Sequence, residues 1–223
     1  MTGKTVTEAR MDHLTRLAGY EVLFVIAAEA EYGPALRARL DAFICGIGVV
    51  EAGVRVTAKL ADLARAGRAP DLVVSLGSAG SARLEQGAVY QVSAVSWRDI
   101  DASPLGFAPG EVPLAGLPLA LPLPAPLDVP QAALSTGSDF VTGGAWARVA
   151  ADMVDMETYA VARACLAFGL PLLGWRGISD GSEELTRIGD WHDALPLIDR
   201  RLAGLVDGLG AVLERDGPAA LAP

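Results

Sequence analysis

Apolar runs of strand length recur along the chain, and most end in glycine or an acid before the spacing turns helical. Val22 to Ala28 is the first, with helical spacing from Tyr32 onward. "FICGIGVVEAGVRVTAKLADLARAG" holds a short strand, a Gly-Ile-Gly turn and a helix ending near Gly67. Leu72 to Leu76 reads as strand, and Gly77 to Gly80 as a tight turn. "GAVYQVSAVSW" alternates like a strand, and "QAALSTGSDFV" is a strand running into a turn. "ADMVDMETYAVARACLAFG" is strand, turn and helix; "LPLLGWRGISDGS" is a last strand and its loop. "HDALPLIDRRLAGLVDGLGAVLE" has the period of an amphipathic helix. Strands alternating with helices predict an α/β fold, a three-layer α/β/α arrangement around a central mixed sheet.

With 223 residues, 52% of them hydrophobic, the chain has material for one sizeable core. One domain is expected over residues 21–216, preceded by a loose polar arm over 1–20 and followed by a frayed tail over 217–223. "VPLAGLPLALPLPAPLDVP", residues 112 to 130, is too rich in proline for a regular helix or a central strand. It is either an irregular cover on the domain's own core or, the reading preferred here, partly a subunit interface.

A net charge of −9 and the absence of a Lys/Arg cluster argue against a nucleic-acid partner, which would need a basic footprint. A neutral small molecule suits an acidic protein better. No run is long and apolar enough to span a membrane, and the N-terminus lacks a signal-peptide core, so a cytoplasmic location is expected. Cys45 and Cys165 sit in apolar surroundings and read as buried, reduced thiols. No Cys/His spacing suggests a metal, and no cofactor is called for.

In folds of this class ligands bind where strands end. Polar residues gather there: Glu29 and Glu31, Ser78, Ser138 and Asp139, Glu157, Asp180. Singly, each has a plainer explanation. Glu31 suits a solvated first helical turn, Asp180 a turn or cap, Glu157 a helix cap, and the glycines of "GSAG" tight packing. Together they outweigh those explanations. With only His13 and His192 present, histidine-driven chemistry is not expected, and what remains is a set of carboxylates. Paired carboxylates cleave glycosidic bonds through oxocarbenium-like transition states, and a carboxylate such as Glu157 can hold a sugar diol.

"AAEAEY", "GIGVVEAG", "PDLVVSLGSAG", "RDIDASPLGF", "STGSDFV", "VDMETYAVA" and "RGISD" occur in an order and spacing that resembles the nucleoside phosphorylase/nucleosidase superfamily. The chain most resembles its 5′-methylthioadenosine/S-adenosylhomocysteine nucleosidases, over roughly residues 22 to 215. The resemblance implies hydrolysis of a purine N-glycosidic bond with release of adenine. It implies that Glu31 is the base for the attacking water and Asp180 the acid at adenine N7, with Ser179 beside it. Glu157 and Met156 match the ribose clamp, Phe140 the stacking aromatic, and Val141 the backbone that reads the adenine edge. Ser78 and Gly80 match the turn beside ribose and water, and Ile47 lines the sugar side. It also implies a homodimer, for which residues 105–130 are the candidate surface.

Asp155 is expected outside the chemistry, satisfying a nearby backbone group or helix terminus. Phosphorylases of this fold carry an arginine three residues before the turn serine; here that position is Ser75, and no cation is evident for phosphate. Water is therefore the expected nucleophile. The alternatives are a nucleosidase for another purine nucleoside, a phosphate-dependent phosphorylase, and a non-catalytic nucleoside-binding homologue. Leu105 stands where relatives often place a Phe that reaches the partner's 5′ pocket, so the 5′ substituent stays open.

Overall fold

The computed structural model describes residues 12–180 and 188–221. In chain order its strands are β1 (Leu14–Leu17), β2 (Tyr20–Ile26), β3 (Phe43–Ile44), β4 (Leu72–Gly80), β5 (Val89–Trp97), β6 (Ala120–Pro122), β7 (Gln131–Thr136), β8 (Met153–Asp155) and β9 (Leu172–Asp180). Its helices are α1 (Pro34–Arg37), α2 (Val49–Arg65), α3 (Thr158–Phe168) and α4 (Ile188–Asp216). This is an α/β fold with a central mixed sheet, as the alternation of apolar runs and helical spacing predicts.

β2 runs parallel to β3 and β4, and β4 parallel to β9. β9 is antiparallel to β5, which runs parallel to β7, and β7 parallel to β8. β8 then meets β4 through Gly80 and Val154. The strands β4, β9, β5, β7 and β8 thus close a ring, a small barrel that the linear pattern of apolar runs does not reveal. Strand pairing across distant segments depends on register, and a single sequence carries no register between them.

The central strands read as unbroken apolar runs because both of their faces are covered. Leu23 and Val25 of β2 pack in one cluster with Val56 and Leu60 of α2 and Val161 of α3. The alternate residues, Val22, Phe24 and Ile26, pack in the other with Leu36 of α1 and Leu202, Leu209 and Leu213 of α4. α4 supplies its buried residues at helical spacing, including Leu195, Ile198, Leu202, Leu205, Val206 and Leu209. Asp199, on the same helix, is also buried. It accepts hydrogen bonds from the backbone N–H groups of Ala35 (2.8 Å) and Leu36 (3.0 Å), capping the start of α1 from another element. Gly33 is needed there, since a Cβ would lie 2.4 Å from the Asp199 carboxyl carbon.

Several local expectations change. Gly77 to Gly80 is not a turn: β4 continues through it, because these residues pair with β9 as far as Asp180. Leu14–Leu17, inside the stretch read as a loose arm, pairs with β2, and His13 bonds Asp41 at 3.1 Å. Inside the stretch read as a frayed tail, Pro218–Leu221 forms a 3-10 turn that buries Leu221 against the α4 cluster. The proline-rich segment contributes β6, which adds to β5 as an antiparallel edge strand. Its later part is held by the buried Gln91 side chain, which bonds the backbone of Leu127 and Val129. Proline is compatible with both positions because neither lies in the sheet's interior.

Candidate active site

The residues that follow β2, β3, β7 and β8, together with the last residues of β4 and β9, converge on a cavity of about 450 Å³. That volume suits a nucleoside-sized ligand. Glu31, Ser78, Gly80 and Ile47 line one part of it, Glu157 and Met156 another. Phe140, Val141, Ser179 and Asp180 complete the set picked out from the sequence. Phe140 and Ile47 are exposed at 57% and 58%, whereas Val141 is buried, so the first two form rim and the last forms wall.

Glu31 lies in a 3-10 turn after β2 and reaches over to β4. Its Oε1 accepts the Ser78 backbone N–H and the Ser78 hydroxyl, both at 2.7 Å. Gly77 lets it in: a Cβ there would stand 3.1 Å from the same oxygen. Asp180 ends β9 and leans on β4 three residues further along. Its Oδ1 accepts the Ser179 hydroxyl at 2.7 Å, and a Cβ on Gly80 would sit 2.6 Å from Oδ2. The small residues of "GSAG" therefore serve two carboxyls at close approach, not helix packing. Burial pushes the Glu31 carboxyl above the ordinary carboxylate range, against the opposing Ser78 hydrogen bonds and the more distant Arg176 charge. Burial also raises Asp180, with the Ser179 hydroxyl opposing.

The junction of β8 and α3 divides its two acids. Asp155 caps α3, accepting the Thr158 N–H at 3.0 Å and the Thr158 hydroxyl, as its expected structural role requires. It also accepts the Thr136 hydroxyl at 2.6 Å and a guanidinium N–H of Arg176 at 2.9 Å. Glu157, relieved of capping, turns to the cavity and accepts the Gly48 N–H at 2.8 Å. Burial, followed by the neighbouring Asp155 charge, pushes Glu157 up to about 7.

That shift fixes a pH dependence. A carboxyl holding its proton more tightly folded than unfolded stabilises the fold most below about pH 4.5, and the contribution is lost as pH climbs to about 7. Glu157→Gln should flatten the decline in unfolding free energy across that window, measured by denaturant titration at several pH values. An unchanged slope would show that the Glu157 proton does not contribute. Glu31 and Asp180 act with the same sign, so part of the decline should persist in the variant.

Sequence reasoning missed three residues here. Arg98 lines the cavity, so the expectation that no cation stands there is corrected. Its guanidinium is nonetheless committed: it donates to the carbonyls of Ser135 (2.6 Å), Asp155 (3.0 Å) and Asp139 (2.7 Å). With Asp99, which accepts the Ser138 N–H at 2.8 Å and its hydroxyl at 2.6 Å, it clasps the loop presenting Phe140 and Val141. The "RDID" motif was the available signal. Arg176 is buried under the site, donating to the carbonyl of Ser75 at 3.1 Å and its hydroxyl at 2.9 Å. The third is Trp191 on α4, which lines the cavity and follows a segment with no strand-end signal. Among the described residues, no group of three His, Cys, Asp or Glu could hold a metal ion.

A family model described as the phosphorylase superfamily matches residues 135–209, the stretch carrying Phe140, Glu157 and Asp180. A 5′-methylthioadenosine/S-adenosylhomocysteine nucleosidase from Actinobacillus succinogenes is 29% identical over 188 residues, which is 76% of this chain and 79% of that protein. Over residues 135–209 the chain is similar to the phosphorylase superfamily. Solved structures agree on the fold. A nucleosidase of the same name from Colwellia psychrerythraea, in complex with adenine, superposes with a TM-score of 0.67 at 22% identity, covering 84% of this chain and 95% of that one. The futalosine hydrolase of Helicobacter pylori gives 0.69 at 18% identity, covering 84% and 97%. The fold is thus shared by proteins named for different substrates, and the choice among them rests on the site.

Proposed function

We propose that this protein hydrolyses the N-glycosidic bond of 5′-methylthioadenosine, S-adenosylhomocysteine or both, releasing adenine. The observation carrying the reading is the pair of carboxyls, Glu31 and Asp180, leaning on one strand three residues apart with Glu157 in the same cavity. Asp180, whose hold on a proton burial strengthens, donates to adenine N7 as the base departs, since a purine anion is a poor leaving group. The sugar then gathers positive charge, which the carboxylates of Glu157 and Glu31 stabilise. Glu31 takes a proton from water as the oxygen bonds to C1′. Glu157, with Met156 beside it, holds the ribose hydroxyls. Phe140 stacks on the base, Val141 offers backbone to its edge, and Ile47 faces the sugar. Ser78 and Gly80 border the ribose and the water, and Ser179 orients Asp180.

Water is favoured over phosphate by the fate of the nearby cations. Arg176 is tied to Asp155 and Ser75, and Arg98 to three carbonyls and the Asp139 carboxylate. Neither is spare for a dianion beside Glu31, whose charge would repel it. The test is adenine release from 5′-methylthioadenosine with and without phosphate, identifying the sugar. Free methylthioribose at a rate independent of phosphate is the expected result. A sugar 1-phosphate formed only with phosphate would overturn it, and no adenine from either nucleoside would turn attention to other substrates.

The reading includes a cytoplasmic homodimer. Exposed Val50 and Val54 on α2, three and seven residues after the rim residue Ile47, and exposed Leu105, Leu114 and Leu119 support an apolar contact surface. Sedimentation showing only monomer at micromolar concentration would remove this part. The reading further includes a three-layer arrangement, with α2 and α3 over one side of the sheet and α4 over the other.

A further inference from the structure

We propose that Trp191 is a positioning residue for the water-activating carboxylate: its indole N–H engages the Ser78 oxygen and so directs the single Ser78 proton onto Glu31. The proposal rests on the reading of Glu31 as the base.

The Trp191 Nε1 lies 2.9 Å from Ser78 Oγ, and Ser78 Oγ lies 2.7 Å from Glu31 Oε1. An indole N–H is donor only, so the serine oxygen must accept from it. A hydroxyl has one proton, and with Trp191 occupying a lone pair that proton is left for Glu31. The direction of the relay, Trp191 to Ser78 to Glu31, is thus set by donor chemistry alone. Successive hydrogen bonds polarise one another, so the first strengthens the second. Glu31 Oε1 then receives two donors, Ser78 N–H and O–H, which fixes the carboxylate plane relative to β4 and favours its charged, proton-accepting form.

Trp191 is itself held. It belongs to the first turns of α4, and its ring packs against His192 with centroids 5.0 Å apart. Since Ser78 is 113 residues away in the chain, only the docking of α4 beside β4 makes the contact. The other groups acting on Glu31 come from different elements: Arg176 on β9, Glu157 after β8 and Cys45 after β3, with Asp180 across the same cavity. Replacing Trp191 leaves all of them in place.

Trp191→Phe keeps an aromatic wall but removes the N–H together with one ring, and a Ser78→Ala background separates the two losses. The expected result is a loss in kcat of about 3- to 10-fold, the size of one ordinary hydrogen bond's net contribution. The acidic limb of kcat/KM should move to higher pH, because a weaker Ser78 bond lets the Glu31 carboxyl rise. In a Ser78→Ala background the same change should cost nothing further. An unmoved limb, or an equal loss in both backgrounds, would overturn the proposal and leave Trp191 as wall.

A readout independent of turnover separates this from failure of the base assignment. The indole emission of Trp191, taken as wild type minus Trp191→Phe, should show a pH transition that vanishes in Ser78→Ala and in Glu31→Gln. A transition that survives Ser78→Ala would overturn the link. Full turnover in Glu31→Gln would instead remove the base assignment, and the emission result would still decide whether Trp191 senses Glu31 through Ser78.

Discussion

Glu31→Gln should lower turnover of 5′-methylthioadenosine by about 10²- to 10⁴-fold, the range a positioned general base contributes. The substitution is close to isosteric. The amide oxygen that replaces the carboxylate can still accept the Ser78 N–H and hydroxyl, so the turn after β2 and its contact with β4 should hold. What the amide loses is the ability to take a proton from water. The protein should be at least as stable as the wild type near pH 7, because burial already works against the charge on Glu31. Adenine should still bind, with Asp180, Phe140 and Val141 untouched. Single-turnover kinetics and equilibrium binding of adenine check the two halves separately. Turnover near the wild-type level would remove Glu31 from the reaction, while loss of adenine binding as well would point to a collapsed site.

The second large effect is on stability. Arg176→Met should destabilise the fold by about 3–5 kcal/mol, as breaking one side of a buried ion pair does. Arg176 and Asp155 are both nearly inaccessible, with side-chain exposures of 2% each, and they meet at 2.9 Å. Removing the guanidinium strands the Asp155 charge and strips donors from the Ser75 carbonyl, the Ser75 hydroxyl and the Trp175 carbonyl. These groups lie on β4, β8 and β9, so the loss spans three elements. Adding Asp155→Asn to Arg176→Met should recover part of the loss, since it removes the stranded charge while keeping an acceptor for Thr158. Urea titration of the wild type, the single variants and the double variant measures the coupling. Strictly additive losses would show that Arg176 does not act through the Asp155 charge.

That ion pair also separates the two acids at the junction of β8 and α3. Asp155 is consumed by structure: the cap of α3, Thr136 and Arg176. Glu157, two residues on, is turned to the cavity by the helix start that Asp155 secures. The junction was legible in "MVDMETYAV" because a strand followed at once by a helix can present only certain residues at the turn. The partner of Asp155 was not, since Arg176 lies inside an apolar run and looks like an isolated interruption.

Spacing along the chain was enough to reveal most of the strands and helices, the continuous apolar runs buried on both faces, and the strand-end carboxyls that meet in one cavity. Those are local properties, and local properties are what periodicity reports. The closure of β4, β9, β5, β7 and β8 into a ring, the continuation of β4 through "GSAG", and the cap that Asp199 places on α1 emerged only in the folded molecule. So did the clasp of Arg98 on the loop of Phe140 and Val141, the position of Arg176 beneath the site, and the reach of Trp191 to Ser78. Each depends on contacts between residues far apart in the chain. Such contacts follow from register and docking, which one sequence leaves unspecified until the apolar faces have found each other.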